Sequence, residues 1–128
     1  MKLSKAEEQL MEIIWKLERC FFKDIIDNYS EPKPATTTVV TLLKRMQEKG
    51  AVAYDLFGNS RQYYSLIPKN DYFKKQMNGI VKDFFGDSAL QFASFFTTSG
   101  SLSARELEEL KKIVEQEIKR QQNDTLPD

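Results

Sequence analysis

The sequence predicts a mainly α protein with a small β wing: an N-terminal winged helix-turn-helix followed by C-terminal dimerisation helices. Three observations carry this. Two short helical patterns are followed by a break at Glu31-Pro32-Lys33-Pro34, and then by a third helical pattern with an unusual outer face. A hairpin signal comes directly after that helix. Past residue 70, further apolar stripes occur in a stretch too thin to form a second globular core.

Ser4 reads as a helix N-cap, with Glu7 three residues on closing a capping box. The helix is expected to run to about Leu17, with Ala6, Leu10, Ile13, Ile14 and Leu17 on its buried face and Trp15 at the margin. After Arg19 the chain turns into a second short helix, with Phe22, Ile25, Ile26 and Tyr29 on its apolar side, ending near Ser30. Neither Pro32 nor Pro34 can donate a backbone hydrogen bond, and each restricts the residue before it, so 31–34 is a turn.

The third helix begins near Thr36 and ends at Gly50, a terminating glycine after the cationic Lys49. At about 100° per residue, Val39, Leu42, Leu43 and Met46 fall on one face, and Thr37, Thr41 and Lys44 on the opposite one, flanked by Thr38, Val40 and Arg45. Ordinary solvent faces are rich in Glu and Lys. This one offers short hydroxyls, a methyl-bearing side chain and two cations, which suit phosphate oxygens and base edges. Taken alone, the helix fits two readings: a β-branched helix that only packs, or one that also reads DNA. Segments 51–57 and 61–66 are strand-like and flank Gly58-Asn59-Ser60, a turn signal of hairpin length. A hairpin here is a wing, and it favours the second reading. Arg61 at its base can reach the phosphate backbone or the minor groove, or simply keep a hairpin edge soluble.

The chain has 128 residues, enough for one domain with a real core, or for a small domain plus an oligomerisation arm. Nineteen basic and nineteen acidic residues cancel, so no global field draws the protein onto nucleic acid, and any such binding must come from local segregation. Between Lys33 and Arg61 there are five cations (Lys33, Lys44, Arg45, Lys49, Arg61) against two anions (Glu48, Asp55), whereas residues 1–32 hold five against seven. There is no histidine, the commonest general base and metal ligand, and the single Cys20 allows no intrachain disulfide and reads as a packed or semi-exposed thiol. Carboxylate pairs such as Glu7/Glu8 and Glu108/Glu109 are expected on solvated helix surfaces, and no glycine-rich phosphate loop or ligand cluster occurs. An enzyme, a metal site and a bound cofactor are therefore not expected. The start, MKLSKAEEQL, lacks the apolar run of a secretion signal, and no later stretch approaches the ~18 residues that span a bilayer. A cytoplasmic protein without stable membrane association is expected.

Pro68 closes the hairpin, and Asn70 or Asp71 can cap a fourth helix with Phe73, Met77, Ile80, Val81 and Phe84 on its apolar side. Gly86-Asp87 breaks it, and a short apolar segment, Ser88 to Phe96, follows. A polar loop then leads to the best-defined cap, Ser103 with Glu106, where Leu102 can staple against Leu107; the last helix also carries Leu110, Ile113, Val114 and Ile118. The expected division is a winged-helix domain over 1–70, a helical arm over 71–120 and a disordered tail over 121–128. Phe84, Phe85, Phe92, Phe95 and Phe96 are difficult to leave in water, and Phe84, Phe92, Phe96, Leu107, Leu110 and Val114 are the residues expected at a dimer contact. Packing against a second copy, rather than folding back on the first half, is the expected solution.

The Trp15 helix, the run TTVVTLLKRMQEKG from Thr37 to Gly50, the wing segment Arg61-Gln62-Tyr63-Tyr64-Ser65-Leu66, and the helix opening Leu102-Ser103-x-x-Glu106-Leu107-x-x-Leu110 together resemble the penicillinase-repressor family (the BlaI/MecI/CopY type). The similarity covers almost the whole chain in the same order. It implies a bacterial winged-helix transcriptional repressor, akin to antibiotic-resistance regulators, that dimerises through its C-terminal helices and binds an inverted-repeat operator in double-stranded DNA. On matching positions, it implies DNA contacts from Thr37, Thr38, Val40, Thr41, Lys44 and Arg45, with residues 58–61 near the backbone; Lys33 and Arg61 are expected to join Arg45 in neutralising phosphates. The resemblance further implies relief by proteolysis, triggered indirectly by a membrane sensor metalloprotease, within the segment matching Ser88 to Phe96. Here the bond is Gln91-Phe92, where the best-known members have Asn-Phe. The copper-responsive branch carries a C-terminal cysteine cluster that this chain lacks, so direct copper sensing is not expected. The alternative function is a winged-helix protein-protein interaction module, which the zero net charge and sparse basic patch favour.

Overall fold

The computed structural model describes residues 1–124. The elements are α1 (Lys5–Leu17), β1 (Arg19–Phe21), α2 (Phe22–Asn28), α3 (Thr36–Glu48), β2 (Val52–Phe57), β3 (Ser60–Ser65), α4 (Lys69–Phe84), α5 (Ala89–Thr98) and α6 (Ala104–Asp124). Two compact units form, Met1–Met77 and a second beginning at Asn78. The division therefore falls inside α4 and not at 70/71. The first turns of α4 belong to the first unit because Tyr72 is buried there, donating its hydroxyl to Glu8 Oε2 at 2.6 Å, while Trp15 packs on both Tyr72 and Phe73 with centroids 5.8 Å away. α4 starts at Lys69, ahead of the expected cap at Asn70 or Asp71, with the Tyr72 N–H donating to the Pro68 carbonyl at 3.1 Å.

α1 opens with the predicted capping box: the Glu7 N–H donates to Ser4 Oγ at 3.2 Å, and the Ser4 N–H donates to Glu7 Oε1 at 2.7 Å. Its buried face differs from the expected one. Ala6 is exposed, and Glu7, expected in solvent, is only 2% exposed. The reason is that α3 ends against it, placing Lys49 Nζ 2.8 Å from Glu7 Oε1. Burial by itself raises a carboxyl pKa; the Lys49 ammonium and the Ser4 hydrogen bonds outweigh it and hold Glu7 below the usual carboxylate range.

The sheet has three antiparallel strands in the order β1-β3-β2, where the sequence predicts a hairpin alone. Arg19–Phe21 is too short to display a period of two, and becomes a strand only by pairing with β3, Cys20 lying opposite Tyr63. The hairpin turn is also tighter than expected. Phe57 pairs with Ser60, so Gly58-Asn59 alone makes the turn, and the φ of 62° at Gly58 is the left-handed conformation a two-residue turn requires.

Leu10, Met11 and Ile14 of α1, Ile25 of α2, and Val39, Leu42, Leu43 and Met46 of α3 meet Cys20, Val52 and Tyr63 of the sheet in one core. Burial, with Asp24 adding to it, pushes the Cys20 thiol up to about 11, so it packs as a neutral side chain.

In the second unit the apolar segment after Gly86 forms a helix, α5, which Ser88 caps by accepting from the Gln91 N–H at 3.2 Å. Phe85 stands 5.5 Å from both Phe92 and Phe95, centroid to centroid. α6 opens with the predicted Ser103–Glu106 box, its two bonds 3.0 and 3.1 Å long. Neither α5 nor α6 contains a buried residue. α6 continues through Asp124, past Gln121, where the sequence places the start of a tail; the rest of that expected tail, 125–128, lies outside the described residues.

The Glu7–Lys49 pair makes stability depend on acid. A carboxyl held below its usual pKa stabilises the fold above its unfolded value, near 4.5, and loses that contribution as pH falls through the folded value. Glu7→Gln is expected to cost about 1–2 kcal/mol at neutral pH, at the low end for a buried pair because Lys49 is half-exposed. In urea titrations at successively lower pH, the gap between wild type and variant should close below about pH 4.5. A constant gap would assign the loss to packing instead.

Candidate nucleic-acid interface

α3 is fixed by its buried stripe, and its opposite face is open. Thr37, Thr38, Val40, Thr41, Lys44 and Arg45 are all exposed, with Glu48 at the C-terminal end. Val40 is 54% exposed, unusual for a valine on a helix whose other large apolar side chains are buried. Thr41 donates its hydroxyl proton to the Thr37 carbonyl at 3.0 Å, so outward it offers acceptor lone pairs and a methyl group. Ala35 is the N-cap and supplies no side-chain hydrogen bond, leaving the first N–H groups of α3 unblocked by a cap.

The wing stands beside this face. The strand register puts Tyr54 opposite Tyr63 and Leu56 opposite Arg61, so these four share one face of the sheet, while Asp55 and Gln62 lie on the other. Arg61 lies over the Tyr54 ring, its guanidinium carbon 4.4 Å from the centroid. Val40, Lys44 and Gln47 of α3 and Tyr54 and Arg61 of the wing line a cleft of about 350 Å³. A second cleft of about 460 Å³ shares Val40 and Arg61 and adds Lys23 from α2 and Asn59 from the turn.

The expected contact residues thus separate into groups. Val40, Lys44 and Arg61 come together at the α3–wing cleft, and Thr37 and Thr41 are linked along α3. Thr38 and Arg45 are exposed on α3 but line neither cleft. Lys33 is tied elsewhere, donating from Nζ to the Ile26 carbonyl at 3.1 Å at the end of α2. Among the described residues, Lys44, Arg45 and Arg61 have no carboxylate partner, whereas Arg19 pairs with Asp55 at 2.9 Å, Lys69 with Glu12 at 3.1 Å, and Lys49 with Glu7.

Lys23, Gln47 and Tyr54 do not stand out in the sequence, whereas Asn59 falls within the 58–61 stretch expected near the DNA backbone. Gln47 was accessible to the helical period, since Val40, Lys44 and Gln47 sit at i, i+4 and i+7. Tyr54 required the turn length: with a two-residue turn, Tyr54 and Arg61 become diagonal neighbours across the hairpin. No group of His, Cys, Asp and Glu among the described residues is arranged to hold a metal, and no helix there is long and apolar enough to cross a membrane.

The penicillinase repressor family model matches residues 3–116. The chain is 26% identical over 116 residues to the penicillinase repressor of Bacillus licheniformis, covering 90% of this chain and 91% of that protein. It is 27% identical over 114 residues to the methicillin resistance regulatory protein MecI of Staphylococcus aureus, covering 88% and 93% respectively. The solution structure of the DNA binding domain of the repressor BlaI superposes with a TM-score of 0.50 at 29% identity, over 56% of this chain and 88% of that one. With the family pattern running from the start of α1 into α6, this chain belongs to the penicillinase repressor family.

Proposed function

We propose that the chain is a transcriptional repressor that binds an inverted-repeat operator in double-stranded DNA as a homodimer. The observation that carries this reading is the unpaired cationic edge of α3 and the wing: Lys44, Arg45 and Arg61 are exposed and, among the described residues, not neutralised by any carboxylate. Family membership and the likeness to a DNA-binding domain support it. α3 enters the major groove. Thr37, Thr41 and Lys44 face base edges, with Val40 and Thr38 beside them offering methyl groups to thymine. Arg45 and Arg61 neutralise phosphates, and Lys33 adds a cation at the turn before α3 with two protons still free of its bond to Ile26.

The helices of the second unit supply the dimer contact. Phe84 is 78% exposed, and Phe96, Leu107 and Val114 are exposed as well, with Phe92 and Leu110 half-buried. Two helices without a buried residue obtain a core by meeting the same helices of a second copy, and two-fold pairing presents two copies of α3 to the two halves of an operator. Relief comes from cleavage within α5, triggered indirectly by a membrane sensor metalloprotease. The Gln91-Phe92 bond lies in the first turn of α5, so a protease that binds extended substrate requires that turn to open. The site of action is the cytoplasm.

The competing reading, a protein-interaction module on the same fold, rests on the zero net charge. Salt separates them. A duplex recovered by genomic footprinting should be bound with an affinity that falls steeply as salt rises, because counterions are released from phosphates; a flat response would favour the protein module. Lys44→Ala is expected to weaken binding by about 1–3 kcal/mol and relax preference at one base position; unchanged affinity and preference in a mobility-shift titration would remove Lys44 from the reading set. Leu110→Asp should yield a monomer in analytical ultracentrifugation, with loss of tight operator binding. A surviving dimer places the interface elsewhere.

A further inference from the structure

The sheet carries two arginines, Arg19 on β1 and Arg61 on the wing, each stacked on a tyrosine, and they differ in what else they touch. On one face of the sheet, Arg19 lies 4.4 Å from the Tyr64 centroid and is neutralised by Asp55 at 2.9 Å. On the other, Arg61 lies 4.4 Å from the Tyr54 centroid and has no carboxylate partner among the described residues. A ring face directs a guanidinium without cancelling its charge, whereas a carboxylate does both. Tyr54 is itself held: it is half-buried and meets Tyr63 edge-on at 5.8 Å, and Tyr63 is buried in the core beside Cys20 and Val52. A rigid path therefore runs from the core through Tyr63 and Tyr54 to the Arg61 guanidinium, which faces Val40 and Lys44 of α3 across the cleft.

We propose that Tyr54 is a positioning residue for DNA binding, whose ring holds the Arg61 guanidinium at the mouth of the α3–wing cleft, pre-set to meet the phosphate backbone beside the base edge that Lys44 reads. This rests on the DNA-binding reading. An exposed arginine otherwise samples many rotamers and loses that freedom when it binds; the stacked one has already lost much of it. Tyr54 touches no nucleic acid in this role, and its effect passes entirely through Arg61.

The test uses the full chain and the strongest duplex that the wild-type protein selects from a random-sequence pool. Tyr54→Phe keeps the ring and should bind within about twofold of wild type, while Tyr54→Leu should bind about two- to fivefold more weakly at unchanged thermal stability. Arg61→Ala should weaken binding further, and adding Tyr54→Leu to it should change nothing more. Equal weakening by Tyr54→Leu in both backgrounds would show that Tyr54 acts through the fold, and binding of Tyr54→Leu at the wild-type level would also overturn the proposal. In the DNA-free protein, the Arg61 side-chain protons should show an upfield ring-current shift that Tyr54→Phe keeps and Tyr54→Leu abolishes. If Tyr54→Leu does not fold, that shift in the wild type decides, and its absence overturns the proposal. Selection of no duplex by the wild type removes the DNA-binding reading itself, an outcome distinct from any failure confined to Tyr54.

Discussion

Val39, Leu42, Leu43 and Met46 bury one stripe of α3 in the core, and that burial decides which of its side chains remain for a partner. Rotating the helix about its axis would draw several of these side chains into water at about 1.5–3 kcal/mol each. Thr37, Thr41 and Lys44 are held outward by the same force. The contact between Lys49 and Glu7 adds a second constraint, at the C-terminal end of α3, joining it to the first turn of α1. A helix fixed in rotation by packing and at one end by an ion pair is a rigid platform, which is what positioning a set of contacts within a groove requires.

Charge is distributed by pairing, not by composition. The chain is neutral overall, yet its cations differ in what they meet. Arg19, Lys49 and Lys69 meet carboxylates within the first unit and serve the fold. Lys44, Arg45 and Arg61 do not, and they lie on α3 and the wing. Net charge governs long-range attraction, but the affinity of a polyanion for a surface depends on the cations left unneutralised where it docks. A neutral protein with such an edge is consistent with a binder whose contacts are few and placed, and it explains why composition argued against DNA while the local pattern argued for it.

The second unit poses the opposite problem. Its aromatic cluster around Phe85 gives α5 some internal packing, yet Leu90 is 84% exposed, and α6 has no buried residue along its length. Amphipathic helices in water owe most of their stability to the face they bury, and here that face is open. Under the reading proposed above, the two units divide the work: one forms its own core and carries the groove-reading surface, and the other completes its core only with a second copy.

Local signals in the sequence were sufficient wherever the physics is local. The Ser4–Glu7 and Ser103–Glu106 boxes, the proline turn before α3, the division of α3 into packed and open faces, and the existence of the hairpin all depend on residues within about four positions of one another, and each is present. The winged-helix class and the family follow from them. Tertiary structure decided what depends on elements far apart in the chain: that Arg19–Phe21 is a strand, that Glu7 is buried rather than solvated, that Lys33 serves the end of α2, and that α4 is shared between the units. It also decided which cations on α3 and the wing meet no carboxylate among the described residues. Whether an arginine meets a carboxylate, a ring or solvent is set by strand register and helix packing, and only the folded chain brings Tyr54 beneath Arg61 and Asp55 beside Arg19.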